Sequence, residues 1–185
     1  MAVALTKYRF TVDDYHRMGE AGILTEDDRV ELLDGEIVAM APIGDRHAGE
    51  VGQLSSIFTR LLGEQVIVWV QNPIILGPHW EPQPDICLLR PRPDFYKTGK
   101  PHAEDVLLVI EVADTTLEMD RQVKIPKYGR VELPEAWILD INDPGLLVFR
   151  EPYEDGYRSV ERISPGDSIA PLAFPNHFVA IADLF

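Results

Sequence analysis

The chain has a single cysteine, Cys87. One thiol can close no internal disulfide and build no cysteine-based zinc site, so a reducing cytoplasm is the expected compartment. Basic charge is also scarce: 17 Lys and Arg face 31 Asp and Glu, a formal net charge of −14. Non-specific DNA binding favours a basic protein, because counterion release supplies much of the affinity. A nucleic-acid role would therefore need a local basic patch, or bound cations that neutralise an acidic site and bridge to phosphate. No apolar run approaches the ~20 residues of a membrane span, and the stretch from Met1 to Lys7 is too short and too polar at its far end for a signal peptide. His16, His47, His79, His102 and His177 are scattered without metal-binding spacing, which argues against a histidine-built zinc centre. Gly-x-x-x-x-Gly-Lys-Ser/Thr, Gly-x-Gly-x-x-Gly and Gly-x-Ser-x-Gly strings are missing, which excludes the usual nucleotide cradles and the nucleophile elbow. Cys87 falls inside a strand-like run with no cap or basic neighbour to activate it.

What is present is the composition of an ordinary globular protein. The 185 residues are 45% hydrophobic and 26% charged, enough for one α/β domain over residues 1–185 that buries a sheet and several helices. No internal repeat, low-complexity tract or linker divides the chain.

Residues 8–24 predict a short amphipathic helix, with Thr11 as N-cap and Asp13 and Asp14 in its first turn. Two apolar runs between Arg29 and Met40 flank Asp34-Gly35, the signature of a type I′ hairpin, and put Glu31 on the first strand. The apolar residues from Val51 to Leu62 recur at helical steps over Asp45–Leu62, with Gly63 as the stop. His47, in the first turn, reads as a capping or packing residue.

Val66–Gln71 predicts a strand, and Pro73–Gly77 another. A proline-rich approach then leads into Asp85-Ile86-Cys87-Leu88-Leu89, whose alternation puts Asp85, Cys87 and Leu89 on one face. Arg90 to Glu104 is a polar loop. Asp105 to Val112 is the most apolar run, as for a central strand buried on both faces, and Glu111 closes it. A helix follows over Leu117–Arg130, with Lys124 and Tyr128 one turn apart and Pro126 forcing a kink or a late start. Glu135–Asp140, Leu146–Arg150 and Tyr157–Glu161 form a terminal meander, and residues 178–185 dock as a short helix.

Chemistry concentrates at Asp85 and Glu111. Each is a carboxylate planted where the apolar pattern would put a core side chain, and a buried carboxylate needs a cation, hydrogen bonds or a raised pKa. Hard divalent ions take such oxygens together with backbone carbonyls and water, so Asp85, Glu111 and the carbonyl of Val112 form a candidate metal site. Lys124 could orient an attacking water or stabilise developing negative charge. The competing explanation is a static network in which an arginine such as Arg121 pairs with the acids. Spacing alone leaves the two level.

The ordered strings Glu31-Leu-Leu-Asp-Gly-Glu-Ile-Val, His47, Gln83-Pro84-Asp85, Glu111-Val112, Asp120-x-x-x-Lys124-x-x-x-Tyr128 and Pro134-Glu135-Ala-Trp-Ile-Leu-Asp140 resemble the PD-(D/E)xK nucleases. They resemble most the Uma2 (DUF820) branch, a group of restriction-endonuclease-like proteins. The resemblance runs nearly the whole chain. It implies a restriction-endonuclease-like core, a mixed sheet flanked by helices, here with an N-terminal hairpin and a C-terminal β-meander. It also implies an Mg²⁺-dependent endonuclease acting on DNA, a hydrolase in which Mn²⁺ can substitute and a homodimer is expected by analogy. Asp85 and Glu111 match the metal-binding acids, and Glu31 matches a further acid of the pattern. The chain departs from the parent pattern in one place. The lysine should follow the second acid by two residues, where Ala113 stands. Lys124 fits a lysine moved to the following helix, and Lys127 is the fallback if the helix register differs. A non-catalytic binding module on the same fold, and action on a small phosphate ester, are the alternatives. The acidic charge favours both.

Overall fold

The computed structural model describes residues 6–25 and 27–185; most of the stretch weighed as a signal peptide lies outside them. Helix α1 spans Val12–Glu20, shorter at both ends than the sequence predicts. The Thr11 hydroxyl accepts from the Asp14 N–H at 3.1 Å while the Asp14 carboxylate accepts from the Thr11 N–H at 3.0 Å, a reciprocal box that fixes the helix start. Before it the chain runs extended, with the Phe10 N–H bonded to the Gly35 carbonyl.

Strands β1 (Val30–Leu33) and β2 (Glu36–Ala39) form the expected hairpin. Asp34 and Gly35 take φ of 54° and 78°, the left-handed pair that a type I′ turn demands. Gly35 is also required for a second reason: a Cβ there would lie 2.6 Å from the Arg9 Cβ. Helix α2 spans Asp45–Leu62 as predicted, burying Val51, Leu54, Phe58 and Leu62 and ending on Gly63.

Six strands then make the main sheet in sequence order: β3 (Ile67–Val70), β4 (Ile86–Leu89), β5 (Val106–Ala113), β6 (Glu135–Asp140), β7 (Gly145–Tyr153) and β8 (Gly156–Ile163). Neighbours pair antiparallel except β5 and β6, which are parallel and joined by a crossover helix, α3, over residues 117–130. The sheet separates two apolar clusters. Ile86, Leu88, Leu108, Ile110 and Val112 face α2, whereas Cys87, Leu89, Val109 and Ala113 face α3 and the hairpin side. The mixed, helix-flanked sheet with its hairpin and meander is the architecture expected.

Three details differ from expectation. Residues 73–77 make no strand of the sheet, only isolated bridges from Ile75 to His102 and from Gly77 to Trp80. Pro73 opens the segment and Pro78 follows it, and neither can donate a ladder hydrogen bond. A further two-stranded pair, β9 (Ser168–Ile169) with β10 (Val179–Ala180), precedes the tail, whose Ile181–Leu184 forms a 3₁₀ turn that buries Ile181 and Leu184. Pro126 does not break α3. Upstream of it the helix widens into a π turn over Asp120–Lys124, where the Ile125 N–H bonds the Asp120 carbonyl. Such bulges let a helix absorb an irregularity and occur often at functional sites.

Candidate active site

Ile86 pairs with Ile110, so continuing that antiparallel register by one residue sets Asp85 opposite Glu111. Both side chains share the face of Cys87, Val109 and Ala113, as the alternation of the two runs predicts. The Val112 N–H donates to Asp85 Oδ2 at 2.8 Å. The N–H and C=O of one strand residue point toward the same neighbour, so the Val112 carbonyl is directed to this same edge.

The other acid comes from the hairpin. Leu32 is bridged to Glu81, which hangs β1 on the chain just before Asp85. Glu31 Oε2 consequently accepts from the Gln83 N–H at 3.1 Å. The π turn of α3 supplies the cation. Lys124 Nζ lies 3.4 Å from Glu111 Oε1 and 3.5 Å from Glu31 Oε2. All three side chains are buried, with Glu31 3%, Glu111 2% and Lys124 6% exposed. Tyr128, one turn on, donates to Glu111 Oε1 at 2.5 Å. Lys127 sits instead over the Trp80 ring, 5.1 Å from its centroid, so Lys124 is the lysine that reaches the acids. Arg121 is exposed and makes no ion pair among the described residues, so the arginine network weighed from sequence does not form.

Sequence reasoning missed His47. Its Nε2 is 2.8 Å from Asp85 Oδ1, so it does more than cap or pack a helix. Gln71 Nε2 donates to the same oxygen at 3.1 Å, and Gln83 Nε2 donates to the Gln71 carbonyl. Asp120 was also missed as a site group. It is 3% exposed and accepts from the Thr116 hydroxyl at 2.7 Å. Both stand among the strings that carry the family resemblance, which assigned neither a role; the local signal was a polar residue on the apolar face of a helix.

The electrostatics follow from burial. Desolvation pushes the Glu111 carboxyl well above the ordinary carboxylate range, with Lys124 opposing. Burial works against the Lys124 ammonium, but Glu111 and Glu31, with Asp120 and Asp85, outweigh it and hold its pKa above the usual value. Asp120 is pushed up to about 6, chiefly by burial. The hydrogen bond to Asp85 raises the His47 pKa.

These residues floor a cleft of about 560 Å³. One wall is the segment from Ala39 to Gly44, and the other is Asp114–Thr116 with Met119. Among the described residues no three His, Cys, Asp or Glu side chains gather closely enough to form a ready metal cage. The donor set is hard oxygen on separate segments. That suits an ion bound through one or two carboxylates, a carbonyl and water, and does not suit a closed zinc site.

Fold and site together define a restriction-endonuclease-like α/β protein with an acid-rich cleft. Residues 12–182 match the family model of Uma2, described as "Putative restriction endonuclease", and the chain belongs to that family. Its fold is similar to a crystal structure from Anabaena variabilis described as a "putative nuclease belonging to DUF820". The TM-score is 0.73 at 16% identity, over 95% of this chain and 97% of that one. No curated protein matches the sequence.

Proposed function

We propose that the chain is a cytoplasmic, metal-dependent endonuclease that hydrolyses DNA phosphodiester bonds. Carrying this reading is the convergence of Asp85, Glu111, Glu31 and Lys124, from four separate segments, at one end of the β4–β5 pair. Membership of a family described as "Putative restriction endonuclease" supports it. Asp85 and Glu111 would hold Mg²⁺ or Mn²⁺, with the Val112 carbonyl as a further oxygen and Glu31 joining through a bound water. Bound there, the ion would polarise a phosphate and lower the pKa of a water. The chain's own groups do the rest. The Lys124 ammonium stabilises negative charge that develops on the phosphoryl oxygens. Tyr128 orients Glu111, and His47 with Gln71 holds one oxygen of Asp85 in place.

The test is cleavage of labelled DNA by purified protein with Mg²⁺ or Mn²⁺. Activity is expected to vanish on chelation and to fall on the order of 100-fold or more in Asp85→Asn, Glu111→Gln and Lys124→Met proteins that remain folded. Undiminished cleavage by the Asp85→Asn protein overturns the reading. Cutting both strands would call for a homodimer, which sedimentation measures.

One observation favours a non-catalytic module on the same fold. Lys124 already pairs with both Glu31 and Glu111 in a buried triad, and the chain carries a net charge of −14. Calorimetric titration with Mg²⁺ and Mn²⁺ separates the two, because that module would bind neither ion at millimolar concentration. Hydrolysis of a small phosphate ester but not DNA in a substrate panel would narrow the chemistry instead.

A further inference from the structure

The cleft's electrostatics are poorly matched to a continuous duplex. Its lining holds five carboxylates (Glu31, Asp85, Glu111, Asp114, Asp120) against two permanent cations, Arg29 and Lys124. Lys124 is spent on Glu31 and Glu111, and Arg29 donates to the Ala41 carbonyl at 3.2 Å. Duplex binding draws on many simultaneous phosphate contacts from lysine and arginine. Only with a bound cation offsetting the surrounding carboxylates does this cleft offer attraction for a phosphate, and then for about one, beside Lys124.

The mouth of the cleft is unlike its floor. Ala41, Pro42 and Ile43 are consecutive, apolar and exposed, Ile43 at 42%. They stand on a tether, since the Met40 N–H bonds the Arg29 carbonyl at 2.8 Å and Arg29 in turn holds Ala41. Across the cleft Met119 contributes a thioether, and Thr115 and Thr116 contribute hydroxyls. Apolar groups on both walls, with hydroxyls beside Met119 on one of them, suit a flat heteroaromatic ring with a polar edge. A base inside a duplex is stacked and paired and cannot present its faces this way; an unpaired base can.

We infer that the cleft takes one unpaired nucleotide at a time, its base between the Pro42–Ile43 lip and Met119 and its phosphate beside Lys124. The substrate class is therefore single-stranded DNA, flaps or frayed ends, not the interior of duplex DNA. This inference rests on the nuclease reading for its chemistry, but its recognition part can be measured separately.

The experiment is fluorescence-anisotropy titration of the full chain, in Ca²⁺, with a short labelled single strand and with the same sequence as a blunt duplex. Cleavage of both is then followed in Mg²⁺ or Mn²⁺. Single-strand affinity is expected to exceed duplex affinity by on the order of tenfold, and Ile43→Asp to remove most of that difference without unfolding the protein. Equal or tighter duplex binding overturns the inference, as does an Ile43→Asp protein that keeps its preference. Selective single-strand binding with no cleavage of any DNA would sustain the inference while sinking the nuclease reading.

Discussion

The imidazole Nε2 of His47 lies 2.8 Å from Asp85 Oδ1, and the Val112 N–H lies 2.8 Å from Asp85 Oδ2. The first turn of α2 and the end of β5 therefore grip one carboxylate from both sides. Such partners hold a metal-binding carboxylate in orientation, and losing one typically costs 10–100-fold in metal affinity. His47→Ala is expected to weaken Mn²⁺ binding by about tenfold or more, while His47→Gln, which can still reach Asp85 with an amide, recovers part of the loss. Calorimetry reads this without reference to activity. Equal Mn²⁺ affinity in all three proteins would mean that the histidine only packs.

The triad of Glu31, Glu111 and Lys124 makes a prediction about stability. Removing the cation from a buried network leaves charge without a partner, which costs about 3–5 kcal/mol in comparable cases. Lys124→Met should therefore lower unfolding stability by about 3 kcal/mol at neutral pH. Adding Glu111→Gln to that variant should recover part of the loss, because the amide carries no charge and still accepts from Tyr128. A double-mutant cycle by denaturant unfolding gives the coupling. Strict additivity would show that Lys124 and Glu111 are neighbours without energetic consequence.

Much of this site was legible because strands alternate. The faces of Asp85 and Glu111 followed from residue parity, since Cys87 and Leu89 had to share a side with Asp85. Lys124 and Tyr128 followed from helical spacing. His47 did not follow, because the direction of a residue in the first turn of α2 depends on how that helix sits across β4, which no local pattern encodes. The π turn was hidden for a related reason. Pro126 announced an irregularity, but whether a helix kinks, starts late or widens depends on what it packs against. The strand expected at residues 73–77 failed because β content outweighed Pro73 and Pro78 in the reading and not in the backbone.

What α3 packs against is unusually close. A Cβ on Gly129 would fall 2.0 Å from the Gly156 carbonyl oxygen, backbone against backbone. The helix that carries Asp120, Lys124 and Tyr128 is thereby seated on the first residue of β8. Gly129→Ala must push them apart, and overpacking of this kind costs about 1–3 kcal/mol or more. Thermal unfolding is expected to show a loss of at least ~2 kcal/mol, together with impaired metal binding, as Lys124 and Tyr128 shift from Glu111. A variant of wild-type stability would show that the contact relaxes freely.

Asp120 gives the pH dependence its sign. Its carboxyl goes from an ordinary 3.8 to about 6 in the folded protein, mainly through burial. Between those values the folded chain holds a proton that the unfolded chain releases. Stability from this group is therefore present below about pH 4 and is lost as pH rises through about 6, a change of roughly 3 kcal/mol at most for a two-unit shift. Glu111 and His47, both also raised, act in the same direction, so the wild-type profile alone cannot separate them. Asp120→Asn can, because the amide does not titrate. The variant is expected to be less stable than wild type near pH 4 and to gain on it steadily up to about pH 7. Chemical denaturation of both proteins across that range makes the measurement, and parallel profiles would mean that Asp120 ionises as freely in the fold as in the open chain.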